Sequence, residues 1–500
     1  MKRYIIFMLV FIGFNTYAQK AEDALRYSQS NYFSSARSAS MAGAFGALGG
    51  DFSSIRINPA GLGIYRHNEI SFTQGLSFIN AEQSLTTENN QKFNVSNDTQ
   101  SFNLGQIGAV FVIKNEAMKA NGFDGIKIGI GYNLINNFDR EYFGSSYKAN
   151  NSFLDWTVRY TDGTPVKSLY KFSDKLINDA KLIKNIGDKA NSYATRLDSN
   201  EKVNQYKKVN ESGYQGEYLV SIATNYKRKL FIGASLGIEV LDYTNSSIYS
   251  ESTLDGSSSP LNHYSFYKDL NQSGWGLNAK LGLIYKPIQN LSLGLAVHTS
   301  TSFDIDEEYY TSVDAHYNKN IDGSKNHTAK SPFNTHSYTY KKPFKLVASG
   351  AYIFGQRALI SADIEYINYS RANFSLKGNK EPYEDTNSEI YETYNAAINF
   401  RIGGEFRINS LFNLRAGYAF QDSPYEKGTI NDNSQKNIFT GGLGFRYQNF
   451  FANFAYVRTQ YNDSYVFYNY NDGKTTPIIS SLIEQKINSN DFMLSVGLNF

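Results

Sequence analysis

The sequence predicts an all-β transmembrane barrel of about fourteen antiparallel strands, with an N-terminal hatch inside the lumen. Three observations predict it. Apolar and polar residues alternate with period 2 along most of the chain. Connections alternate between tight turns and long polar loops. A secretory leader opens the chain, and past residue 20 no apolar run is long enough for a helical span.

Composition supports the same class. Aromatics reach 15% through 39 Tyr and 35 Phe, while Pro is held to 9. Strands favour aromatic and β-branched side chains, and proline deletes a ladder hydrogen bond, so this is the usage of a β protein. Mean hydropathy is −0.44, which a barrel tolerates because only alternate residues of each strand meet lipid. A net charge of +3, evenly spread, implies no nucleic-acid partner. With 0 Cys, disulfides, thiolate catalysis and Cys-ligated zinc are excluded.

In chain order, residues 1–19 read as a signal peptide. Lys2 and Arg3 are its basic region, Tyr4 to Phe14 its apolar run, and Thr16-Tyr17-Ala18 its cleavage site. The destination expected for the mature chain is the cell outer membrane. Residues 20–66 are not strand-like. Ala36 to Leu48 is rich in small residues, and Gly49-Gly50 and Asn58-Pro59 force turns. A compact segment of this kind suits the lumen of a barrel that would otherwise hold an aqueous channel.

The barrel is expected over 67–500. Leu230 to Val240 puts Leu, Ile, Ala and Val on one face, with Phe, Gly, Ser and Glu on the other, and Ala396 to Ile408 repeats the scheme. Aromatic residues near strand ends, Tyr132, Tyr226, Trp275, Tyr285, Tyr366 and Tyr447, suit an interfacial girdle. Tight turns fall at Lys227-Arg228-Lys229, Pro287 to Asn290, Gly355-Gln356, Asn409-Ser410 and Gln448-Asn449. Long polar loops are expected around 81–100, 141–212, 247–270, 306–337, 371–391, 422–436 and 462–485. Within the second of these, apolar residues at three- and four-residue spacing predict an amphipathic helical insert over about 166–197. The last strand, Phe492 to Phe500, alternates to a terminal Phe500, which looks like the recognition signal of the barrel assembly machinery.

The segment Ser40-Met41-Ala42-Gly43-Ala44-Phe45-Gly46-Ala47-Leu48-Gly49, followed by Asp51 and by Asn58-Pro59-Ala60-Gly61-Leu62, resembles the hatch of the FadL-like family. That family comprises long-chain fatty acid outer-membrane transporters and aromatic-hydrocarbon channels. The resemblance implies a fourteen-stranded barrel closed by a hatch, with Gly43, Asp51, Asn58, Pro59, Ala60 and Gly61 as the hatch motif. It implies passive uptake of a hydrophobic small molecule without a cofactor, release sideways through a gap in the wall, and a monomer in contact with outer-membrane lipid and lipopolysaccharide. Apolar transfer from water, at ~25 cal/mol per Å², would drive binding. Phe45, Leu48, Phe52, Ile55 and Ile57 are the candidates to line the substrate pocket.

Enzyme chemistry finds little support. The sequence has no nucleophile elbow, no His-Glu-x-x-His and no phosphate-binding loop, and no catalytic or metal-ligating set is assigned. His298 near Asp304 and Asp306 is the one arrangement that mimics the rim catalysts of outer-membrane hydrolases. A second reading makes the chain a haem-binding or other surface-binding barrel, using loop histidines and long Asn-, Ser- and Tyr-rich loops.

Overall fold

Alternation matures into a closed ladder because each strand exposes apolar residues to lipid and turns polar ones inward. On the segment starting at Leu230, Ile232, Leu236 and Ile238 are exposed, whereas Phe231, Ser235 and Glu239 are buried. A computed structural model describes residues 20–31, 33–86, 92–186, 191–198, 201–470 and 478–500. The signal peptide expected at 1–19 lies outside the described residues.

Fourteen antiparallel strands form the barrel. The first are β1 (Glu69–Thr86), β2 (Lys92–Ile113) and β3 (Phe123–Asn137, resuming as Arg140–Ala149). Then come β4 (Val203–Tyr226), β5 (Leu230–Thr253), β6 (Leu261–Ile288) and β7 (Leu291–His298, resuming as Ser302–Ile321). The eighth, β8, runs as Asn334–Lys341 and Lys345–Phe354, followed by β9 (Ala358–Asn368) and β10 (Ala396–Arg407). Last are β11 (Phe412–Gln421), β12 (Lys436–Tyr447), β13 (Phe450–Tyr465) and β14 (Ile483–Asn499). Neighbours in sequence pair, and β1 pairs with β14 as well as β2, which closes the ring.

The tight turns lie where the sequence puts them, but the long loops are more ordered than expected. At 28 residues, β6 is far longer than the roughly 9–11 that cross a bilayer, so its outer part stands clear of the membrane. The stretches 247–270 and 306–337 are largely paired strand. Alternation fades there because both faces are wet, while the ladder bonds persist.

Hatch helices α1 (Ala21–Ser28), α2 (Ala36–Ala39) and α3 (Ser54–Ile57) are followed by a 3-10 turn, Pro59–Ile64. Connections add α4 (Glu116–Ala120), α5 (Phe153–Thr161), α6 (Asp174–Asp179) and α7 (Glu384–Thr393). The single amphipathic helix expected over 166–197 is replaced by a 3-10 turn, the short α6 and a hairpin of Ile183–Asn185 with Tyr193–Thr195. Leu169, Leu176, Ala180 and Ile183 are buried as their spacing suggests, but against Val313, Ala315 and Tyr317 of β7. Lys181, at φ 64, ends the helix. Of the girdle positions, Trp275, Tyr285, Tyr366 and Tyr447 are exposed, whereas Tyr132 is covered by Tyr218, their ring centroids 5.1 Å apart.

Candidate functional site

Small residues let the hatch fold back on itself inside the barrel. Ser35 caps α2 by accepting from the Ser38 amide. Its hydroxyl also donates to Asp51 Oδ1 at 2.8 Å. The same oxygen accepts from the amide and hydroxyl of Ser53, so Asp51 ties the two halves of the hatch together. Arg37 reaches the Gly50 carbonyl at 2.8 Å and Glu405 of β10 at 3.3 Å. Gly43, at φ 75, takes the chain through a turn that other residues rarely adopt.

Asn58 is the pivot. Its Oδ1 accepts from the Ala60 amide at 3.1 Å, and its Nδ2 donates to the Gly46 carbonyl at 2.7 Å and to Leu283 O of β6 at 3.1 Å. Pro59 opens the 3-10 turn that follows, where its missing N–H loses nothing. The turn rests on Gly233 and Gly282, which face each other across the β5–β6 ladder. A Cβ at Gly233 would lie 2.3 Å from the Pro59 carbonyl oxygen. Gly61 passes against Gly49, where a Cβ would meet the Gly49 Cα at 3.0 Å.

The five apolar candidates all face the wall or the hatch itself. Phe45 and Ile57 are buried with Met41, Ala296 and Val347, and Leu48 packs at the edge of that group. Phe52 and Ile55 join Leu62 against Val110, Leu219 and Ala223. A different apolar cluster lies around α1. There Tyr27 has no exposed surface, and its ring centroid is 6.1 Å from that of Tyr243 and 5.9 Å from that of Tyr340. Tyr338, Phe374 and Ile390 of α7 belong to the same cluster, so α7 caps α1. Sequence reading missed this aromatic nest because its members are scattered along many segments and each looks like ordinary strand or loop.

Between the two apolar layers lies a charged one, around a small cavity bordered by Ser30, Arg56, Glu239, Lys280, His298 and Lys342. Lys280 pairs with Glu217, and Lys342 Nζ lies 3.0 Å from Glu239 Oε2. Such buried charges hold because they are paired and hydrogen-bonded. Asp363 Oδ2 accepts from the Gly46 amide at 3.1 Å, which anchors the hatch to β9. The cavity's imidazole is a hatch contact as well: His298 Nε2 lies 2.8 Å from the Ile57 carbonyl oxygen. Asp304 and Asp306 are exposed on the outer face, bonded to Thr339 and Ser337, so they form no catalytic pair with His298.

The wall itself is incomplete at one place. The β2–β3 ladder runs from Ile113↔Ile126 only as far as Gln106↔Asn133. Beyond it β2 stays paired with β1, but β3 carries a bulge between Leu134 and Asn136. The edge of β3 is given to the hatch. Leu134 O accepts from Ser34 Oγ at 3.1 Å, Ile135 O from the Asn31 amide at 3.0 Å, and Asn136 Nδ2 donates to Gln29 O at 2.6 Å. Bonds that each involve a side chain bridge the strands above, with Asn137 Nδ2 to Ser101 Oγ at 2.6 Å and the Glu141 amide to Thr99 Oγ1 at 2.9 Å. On the outer side Phe102, 73% exposed, and Leu104 flank the opening. The bulge leaves no mark in the alternation, since Leu134, Ile135 and Asn136 read as an ordinary strand end.

A family model described as outer membrane protein transport protein (OMPP1/FadL/TodX) matches residues 220–477. A search of curated proteins finds no match. Among solved structures, a FadL homologue of Pseudomonas aeruginosa is 12% identical over 93% of this chain and 98% of that chain, with a TM-score of 0.54. The deltaS2 mutant of the TodX monoaromatic hydrocarbon channel is 14% identical over 94% of this chain and 99% of that chain, also at 0.54. TodX is the toluene transporter of Pseudomonas putida. At these identities the likeness is one of fold: a closed barrel of the same architecture.

Proposed function

Because the chain belongs to the outer membrane protein transport family of OMPP1, FadL and TodX, we propose that it takes up long-chain fatty acids or aromatic hydrocarbons passively. Membership itself makes it an outer-membrane protein that transports hydrophobic compounds and is no enzyme. The finer reading rests on one observation: the edge of β3 at Leu134 to Asn136 is bonded to the hatch instead of to β2.

A water-filled pore serves apolar solutes badly, since leaving the membrane surface for water costs ~25 cal/mol per Å² of exposed area. In the proposed route the solute enters from outside and competes with α1 for the aromatic nest around Tyr27. Displacing α1 pulls on Gln29, Asn31 and Ser34, which hold the β3 edge. The hatch then shifts, Phe45, Leu48, Phe52, Ile55 and Ile57 lend apolar surface to the passing solute, and the molecule leaves between β2 and β3 into the bilayer. Gly43, Asp51, Asn58, Pro59, Ala60 and Gly61 keep the hatch closed at rest. No cofactor or energy source takes part. We assign to Phe500 the assembly signal, to the outer loops contact with lipopolysaccharide, and to the working unit a monomer.

Uptake of labelled oleate and of toluene, in cells with and without the protein, tests this reading. Entry of a small hydrophilic antibiotic must be equal in the two strains. Faster entry of either apolar solute is the expected result, and its size names the preferred class. Equal entry of both would overturn it and leave surface binding, with haem as the ligand to try next.

A further inference from the structure

The short turns at the end of the barrel that holds Phe500 form one continuous basic rim. Backbone bonds run from each turn to its neighbour: Lys227 N to Gly122 O, Lys286 N to Lys229 O, Ile353 N to Asn290 O, and Arg407 N to Arg357 O. Arg446 N to Leu411 O and Asn499 N to Asn449 O continue the circuit. The mutual bonds of Asn68 and Phe500 close it, with the Val112 amide donating to Asn68 Oδ1 at 2.9 Å. Short turns mark the periplasmic side of an outer-membrane barrel.

Four of the seven connections on this rim carry Lys or Arg, and the other three follow a strand with a cation in its last residues. Arg66 precedes β1, and Lys114 and Lys119 flank α4. Lys227, Arg228 and Lys229 make up the whole β4–β5 turn. Arg357 lies in the β8–β9 turn, and Lys286, Arg407 and Arg446 precede the remaining three turns from within β6, β10 and β12. Acidic residues are few and already engaged: Glu116 lies 3.4 Å from Lys119, and Asp124 3.8 Å from Arg228. The whole chain carries only +3, so the basic excess at this end is offset by acidic excess elsewhere. The charge is polarised along the barrel axis.

The level of these side chains identifies what they meet. Exposed Ile113 adjoins Lys114, and exposed Phe354 ends the strand before Arg357, whereas Lys286, Arg407 and Arg446 alternate to the lumen side. Those apolar residues are the last ones turned to lipid, so the cations begin where the hydrocarbon ends, among the headgroups of the periplasmic leaflet. We propose that the rim binds the phosphates of acidic phospholipids in that leaflet, gripping the barrel at its periplasmic edge. The match is one of charge and depth: long basic side chains reach along apolar surface to place their heads at the interface, and anionic headgroups draw them there.

The test uses the full mature barrel in phosphatidylcholine bilayers with trace spin-labelled phosphatidylglycerol or spin-labelled phosphatidylcholine. The motionally restricted fraction reports lipid held at the protein surface. Preference for phosphatidylglycerol of about fivefold is expected at low salt, shrinking as salt screens the rim. Combined Lys227→Gln, Arg228→Gln and Lys229→Gln should reduce it, and so should Lys114→Gln with Arg357→Gln on different turns. Heat-modifiable electrophoretic mobility verifies that each variant is a folded barrel. Equal restriction of the two lipids by the unaltered protein overturns the proposal, and so does an undiminished preference in either folded variant.

Discussion

A Cβ on Gly282 would lie 2.0 Å from Asn58 Oδ1, so the wall accommodates the hatch turn only because this lumen-facing position has no side chain. Gly282→Val is therefore expected to eject the turn and break the bonds of Asn58 to Gly46 and Leu283. Each buried bond lost costs about 1–3 kcal/mol of docking. The barrel should still show its folded electrophoretic mobility, while amides of residues 46–64 exchange faster with deuterium. Unchanged exchange would mean that the turn docks elsewhere.

Asp51→Ala removes the acceptor shared by Ser35 and Ser53. Hydrogen bonds to a charged group are worth about 1.5–3 kcal/mol, so the hatch should open to limited proteolysis between 33 and 64. The barrel strands should resist as before. Asp51→Asn, which keeps an oxygen acceptor, should give an intermediate result.

Ser101 and Asn137 touch across the interrupted part of the β2–β3 seam, 2.6 Å apart through Oγ and Nδ2. Ser101→Cys with Asn137→Cys introduces a disulfide into a chain that has 0 Cys, so no native thiol competes. The oxidised protein is expected to lose apolar-solute uptake, and dithiothreitol to restore it. Full uptake with the bond formed would move the exit elsewhere.

Much of this was legible beforehand, and the remainder was hidden for identifiable reasons. Alternation at Leu230 to Val240 gives both the strand and its facing, because lipid on one side enforces period 2. The turns at Lys227 to Lys229 and Gly355-Gln356 were equally plain. Gly233 is legible as a lumen-facing glycine, but what fills the space above it is set by a segment more than 150 residues away in the chain. The outer parts of β5, β6 and β7 read as loops because water on both faces removes the apolar stripe. The insert at 166–197 shows helical spacing, yet its apolar residues find their partners on β7, and tertiary packing outweighed local preference there. The charged layer around Glu217 and Lys280 could be recognised as inward-facing without revealing who pairs with whom.

Burial, with Glu22 of α1 opposite, pushes the Glu389 carboxyl of α7 up to about 7 from an ordinary 4.5, while Lys20 opposes the shift and Glu392 adds to it. A carboxyl held above its ordinary range stabilises the cap below pH 4.5, and that contribution disappears as pH rises through 7. Amides of residues 21–28 should accordingly exchange more slowly at pH 6 than at pH 8, after correction for intrinsic rates. Glu389→Gln should level the two.

The hatch precedes the barrel in the chain, yet its partners come late. Ala36 N donates to Ser495 Oγ across 459 positions, and Ala42 N to Thr440 Oγ1 across 398. Contacts of such sequence separation form slowly, since a long loop must close before any of them repays its entropy. The N-terminal segment must therefore wait, unsatisfied, until β12 and β14 are in position. A barrel that closed with the segment outside would leave its lumen unfilled. Seating the hatch is thus a late step, which needs both ends of the chain in place.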